Sequence, residues 1–127
     1  MKFLKLQNLT ASYDQEVILR KMNLEVRQGE LLSLLGSSGC GKTTTLRTVS
    51  GFLKPREGSV FLQDKDITRT HPSERGFGYV FQNYALFPHL SVEENVGFGL
   101  KHRKVGREDI NKKVAEMLEL VDLTSFA

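Results

Sequence analysis

Apolar and polar residues alternate through the first part of the chain. Leu4 and Leu6, then Leu24 and Val26, stand between polar neighbours, and Val17-Ile-Leu19 forms a short apolar run between the two pairs. A period of two belongs to half-buried strands, so residues 3–27 predict a set of strands. Gln28-Gly29 supplies a turn. The next segment, Glu30-Leu-Leu-Ser-Leu-Leu35, is almost wholly apolar, which is the composition of a parallel strand buried on both faces. The period then lengthens. Leu46, Val49 and Leu53 recur at roughly helical spacing, and Pro55 predicts that this helix ends near Gly51–Leu53. Pro55-Arg-Glu-Gly58 turns the chain into a strand at Ser59–Leu62, and Asp64-Lys-Asp66 makes another turn. Gly76–Phe81 reads as a buried strand ending at Gln82. Beyond Pro88 the pattern is helical only. Ser91-Val-Glu-Glu94 has the spacing of a capping box, and Ile110, Val114, Met117, Leu118 and Val121 make an apolar stripe suited to core packing. Glu108 and Asp109 fall in that helix's first turn, where the helix dipole favours them.

The chemistry lies at the junction between the apolar run and the first helix. Residues 36–44 read Gly-Ser-Ser-Gly-Cys-Gly-Lys-Thr-Thr, a complete G-x-x-x-x-G-K-[ST] phosphate-binding loop with a strand pattern before it and a helix pattern after it. Gly36, Gly39 and Gly41 permit backbone conformations that let main-chain N–H groups close around phosphate oxygens. Lys42 brings a point charge to the β- and γ-phosphates, and the Thr43 hydroxyl can take one site on Mg²⁺. Thr44 is expected to begin a helix whose dipole faces the same anion. The spacing predicts binding of a nucleoside triphosphate.

Composition narrows the picture further. With 39% apolar and 26% charged residues among 127, the chain has the make-up of a soluble domain. Its apolar runs fall short of the roughly 18 residues that cross a bilayer, and the expectation is a cytoplasmic protein. Cys40 is the one cysteine, which excludes an internal disulfide and a multi-cysteine metal site; within the loop it reads as a small side chain. His71, His89 and His102 are too dispersed to suggest a metal site. The charge of +3 is mostly scattered, and the one basic cluster, Lys101-His-Arg-Lys104 with Arg107, has no interleaved aromatics. Nucleic acid is therefore not the expected partner.

The segment from Gly78 through Gln82 to Asn95 resembles the glutamine loop of ATP-binding cassette (ABC) transporter ATPases. Arg75-Gly-Phe-Gly78 and Phe87-Pro-His-Leu90 are most similar to the importer branch serving polyamines, iron, phosphonates, sulfate or sugars. The resemblance implies an α/β fold. Residues 1–87 would form an N-terminal antiparallel β-subdomain and the P-loop core, and 88–127 the start of a helical subdomain. It further implies that Tyr13 stacks on adenine beside Ile18. ATP would be held by Gly36, Ser37, Ser38, Gly39, Cys40, Gly41, Lys42, Thr43 and Thr44, with Thr43 and Gln82 near Mg²⁺. Lys42 and Gln82 would be the catalytic residues in the chain. Implied partners are a second copy of the subunit and transmembrane permease subunits contacted near Gln82–Leu90, at the cytoplasmic face of the membrane.

Two departures from the family pattern carry consequences. Gln63-Asp64 stands where relatives often have Asp-Gly. The sequence stops at Val121–Ala127, ahead of the family's Leu-Ser-Gly-Gly-Gln signature, acidic strand, catalytic glutamate and switch histidine, so these residues are expected to hydrolyse little or no ATP alone. In the family's parallel sheet, later strands separate the two central ones. Leu31–Leu35 and Tyr79–Phe81 would then present open edges and exposed apolar faces. A non-hydrolysing nucleotide-binding or interaction module is the alternative function. A nucleic-acid-acting ABC ATPase is a weaker one, because the long coiled-coil insertion of such relatives is absent here.

Overall fold

The structure is a computed structural model that describes residues 2 to 126. Two strands, β1 (Lys2–Tyr13) and β2 (Glu16–Arg27), form a long antiparallel hairpin through a turn at Asp14-Gln15. The apolar parity slips along each of them. Leu6 gives way to Leu9 and Ala11 on β1, and Leu19 to Met22 and Leu24 on β2. Irregularities repair the slip: Asn8 and Lys21 adopt left-handed φ of 48° and 45°, and the pairing register shifts on both sides of Leu9. An extra residue in one strand returns the following side chains to the same face. Asn8 and Asn23 satisfy the disturbed backbone, the Asn8 N–H donating to Asn23 Oδ1 at 2.9 Å. Strands β3 (Glu57–Leu62) and β4 (Lys65–Asp66) complete a sheet in the order β2-β1-β3-β4, antiparallel throughout.

Leu6, Leu9, Ala11, Leu19, Val60 and Ile67 form the core, with Val49 and Leu53 packed against it. Helix α1 (Lys42–Ser50) meets this core with a hydroxyl face. Thr44, Thr45, Thr48 and Ser50 are buried, whereas Leu46 is exposed. The expected apolar stripe thus holds for Val49 and Leu53 and fails at Leu46. Burying threonine is tolerable because Thr45 and Thr48 donate their hydroxyls to the carbonyls of Gly41 and Thr44, one turn back.

Two expected buried strands do not form. Residues 30–36 and 76–80 join no sheet, and Leu31, Leu35 and Val80 are 93%, 90% and 85% exposed. Among the described residues, the only sheet is the antiparallel one, so these segments have no parallel neighbour beside them. The expected exposure is present at Leu31, Leu35 and Val80, while Leu34 and Tyr79 are half-buried; the full burial read from composition is absent.

The chain divides into two compact units between Tyr79 and Val80. In the second, helices α2 (Val92–His102) and α3 (Arg107–Leu120) pack on each other. Ser91 and Glu94 form the expected capping box at the start of α2. The α3 stripe is narrower than its sequence suggests: Val114 and Leu118 are buried, while Met117 and Val121 are exposed.

Candidate functional site: the loop before helix α1

The first turn of α1 begins at Lys42, two residues before the expected Thr44, and Gly41 caps it in a left-handed conformation with φ 95°. No side chain larger than hydrogen fits at Gly41, since a Cβ there would lie 2.7 Å from Leu19 Cδ2 on β2. At Gly36, at the other end of the loop, a Cβ would lie 2.6 Å from the exposed Cys40 Sγ. The two glycines let the loop double back on itself beside the helix start.

Lys42 closes that loop from within. Its ammonium donates to the carbonyls of Gly36 at 2.8 Å and Ser37 at 2.7 Å, and lies 3.4 Å from Cys40 Sγ. Cys40 N–H donates to the Ser37 carbonyl. Ser37, Ser38, Gly39 and Cys40 are exposed, as is Thr43 on the first turn, whereas Thr44 is buried. The first helical turn carries no acidic side chain. A helix start exposed at Thr43 and at the loop residues before it, with its backbone donors and positive dipole end beside a lysine ammonium, is an anion-binding arrangement.

The fit to a magnesium nucleotide can be judged on the donors present. Mg²⁺ keeps several waters and takes one or two protein oxygens together with substrate phosphates. The exposed Thr43 hydroxyl is such an oxygen donor and stands one residue from the ammonium. These residues fit the ion.

Tyr13 ends β1 in the same unit, partly exposed, with Ile18 half-buried on β2. The Tyr13 hydroxyl accepts a hydrogen bond of 3.3 Å from Arg47 Nη1 on α1. That hydroxyl is the leading influence holding the Arg47 guanidinium above its ordinary pKa, with Tyr79 adding to it. Gln82 belongs to the second unit, where it is exposed in a turn. After it, Tyr84 and Leu86 are exposed, whereas Phe87 packs on Phe98 with ring centroids 4.4 Å apart.

Three structural residues were not singled out from sequence. Arg47 is one. Arg75 is 4% exposed and donates to four carbonyls, those of Thr48, Val49, Thr68 and Thr70, at 2.6–3.1 Å. Burial lowers its pKa. Asn95 bonds both backbone polar groups of Phe87 and the carbonyls of Leu90 and Ser91. The only sequence signal for Arg75 and Asn95 was their place within the motif segments.

The profile of the ABC transporter family matches residues 19–127, which include the loop and helices α1, α2 and α3. The chain belongs to the ABC transporter family. Among curated ABC relatives, the spermidine/putrescine import ATP-binding protein PotA of Acetivibrio thermocellus is 48% identical over 97% of this chain and 35% of its own length. The Fe(3+) ions import ATP-binding protein FbpC 1 of Haemophilus influenzae is 44% identical over 98% of this chain and 38% of its own. The chain therefore spans little more than a third of these relatives. An ATP-binding cassette dimer solved in a post-hydrolysis state with ADP and Pi superposes with a TM-score of 0.81 at 30% identity, covering 94% of this chain and 57% of that one. The fold is accordingly that of an α/β P-loop ABC ATPase, of which this chain holds a part.

Proposed function

We propose that the chain is the nucleotide-binding portion of the ATP-binding subunit of an ABC importer. The observation that carries this reading is the Lys42 ammonium held over the loop carbonyls at the open start of α1. An incoming phosphate offers that ammonium a charged acceptor in place of two neutral ones, and charge-assisted bonds are the stronger kind. Lys42 and the backbone N–H groups of residues 36–44 bind the β- and γ-phosphates, while the Thr43 hydroxyl supplies one ligand to Mg²⁺. Bound Mg²⁺ would offset phosphate charge during in-line attack by water. Tyr13 stacks on adenine with Ile18 beside it, a contact that needs a π-face and reads no hydrogen-bond pattern. Gln82 would serve beside the metal and the attacking water, as the resemblance to the family's glutamine loop implies. In the whole protein two copies sandwich the nucleotide, and permease subunits dock near Gln82–Leu90 on the cytoplasmic face of the membrane. The importer-type names of the relatives support this assignment.

Lys42→Ala should weaken Mg·ATP binding by about ten- to a hundredfold, the cost of a lost charge-assisted contact to phosphate. Lys54→Ala, an exposed lysine outside the loop, should leave binding nearly unchanged. Equal dissociation constants for the two variants in calorimetric titration would overturn the assignment.

A further inference from the structure

Tyr13 and the phosphate loop lie on different elements, and the helix that follows the loop reaches Tyr13 through Arg47. Arg47 stands five residues after Lys42 on the same nine-residue helix, and its Nη1 donates to the Tyr13 hydroxyl at 3.3 Å. The bond is made at the hydroxyl, at the tip of the ring. Tyr13 lies at the last position of β1, paired with Glu16 beside the Asp14-Gln15 turn, where the Asp14 carbonyl accepts from Arg56, and the residue is 38% exposed. The hydroxyl bond therefore restrains the ring orientation from the helix side. Tyr79, on the segment after Arg75, also raises the Arg47 pKa, and its ring meets Phe52 edge-on at 5.2 Å.

We propose that Arg47 is a positioning residue for nucleotide binding: it holds the Tyr13 ring at a fixed orientation relative to the phosphate loop carried by its own helix. The proposal rests on the base-stacking role given to Tyr13 above. An oriented platform lowers the ordering cost of seating the base, so its loss should appear only with ligands that have a base. Inorganic tripolyphosphate engages the loop without one and serves as the internal control.

Titrations of the full chain with Mg·ATP and with Mg·tripolyphosphate separate the possibilities. Arg47→Met and Tyr13→Phe should each weaken Mg·ATP by about three- to tenfold, and the double variant should be no weaker than either single one. Tripolyphosphate affinity should stay unchanged in all three. Additive losses, or equal losses for both ligands, would overturn the positioning role. If Tyr13→Ala also leaves Mg·ATP affinity intact, the base-stacking reading itself fails. If Tyr13→Ala weakens Mg·ATP and Arg47→Met does not, only the present proposal fails.

Discussion

Asp66 turns its carboxylate back on Thr68, accepting from that residue's backbone N–H at 2.8 Å and from its hydroxyl. These two bonds, the hydroxyl's first, lower the Asp66 pKa below its ordinary 3.8, with a smaller contribution from Arg69. A carboxyl held below its unfolded value stabilises the fold at neutral pH, and that contribution is lost as the pH falls through the lowered pKa. Melting temperatures of the native chain and Asp66→Asn should therefore differ most near neutrality and converge in strong acid. A gap that persists undiminished into acid would assign the effect to shape instead of charge. At this scale the sequence was legible where one local motif carries the role. Gly36, Gly41, Lys42 and Thr43 sit together because they are contiguous. Arg47 with Tyr13, or Arg75 with Thr48, are separated by 34 and 27 positions, and no local pattern encodes such a meeting.

Two helix boundaries followed from punctuation. Gly51 caps α1 where Pro55 predicted an ending, and Ser91 with Glu94 starts α2. The paired irregularities at Asn8 and Lys21 were not legible, because a slipped period reads as two shorter strands until the partner strand is known. The closeness of α2 to α3 was equally hidden. It depends on Gly97, where a Cβ would come within 3.2 Å of Val114 Cγ2 and 3.3 Å of Ile110 Cγ2. Two residues on, Gly99 has open space. The pair makes an internal comparison. Gly97→Leu should force the helices apart and destabilise by about 1–3 kcal/mol, whereas Gly99→Ala should stabilise by up to about 1 kcal/mol through helix propensity. Urea unfolding of the two variants reads the difference, and a Gly97→Leu protein as stable as its parent would refute the packing argument.

For the molecule as a whole, composition marked residues 30–35 and 76–81 as buried strands but could not tell whether they would be covered. Burial of Leu31, Leu35 and Val80 requires neighbours, and an apolar run looks the same with or without them. Exposed apolar surface of this kind favours association. Sedimentation velocity on the 127-residue chain should show concentration-dependent self-association, and replacing Leu31 and Leu35 together by lysine should raise the monomer fraction. A monomeric parent with one sharp, cooperative unfolding transition would refute this. Arg75 has a mechanical meaning beyond its hydrogen bonds. It works as a rivet between the segment ending at Gly76 and the C-terminal end of α1, taking hold of the Thr48 and Val49 carbonyls there. The same guanidinium also grips the Thr68 and Thr70 carbonyls, so one side chain pins the end of the helix to the chain that leaves the sheet.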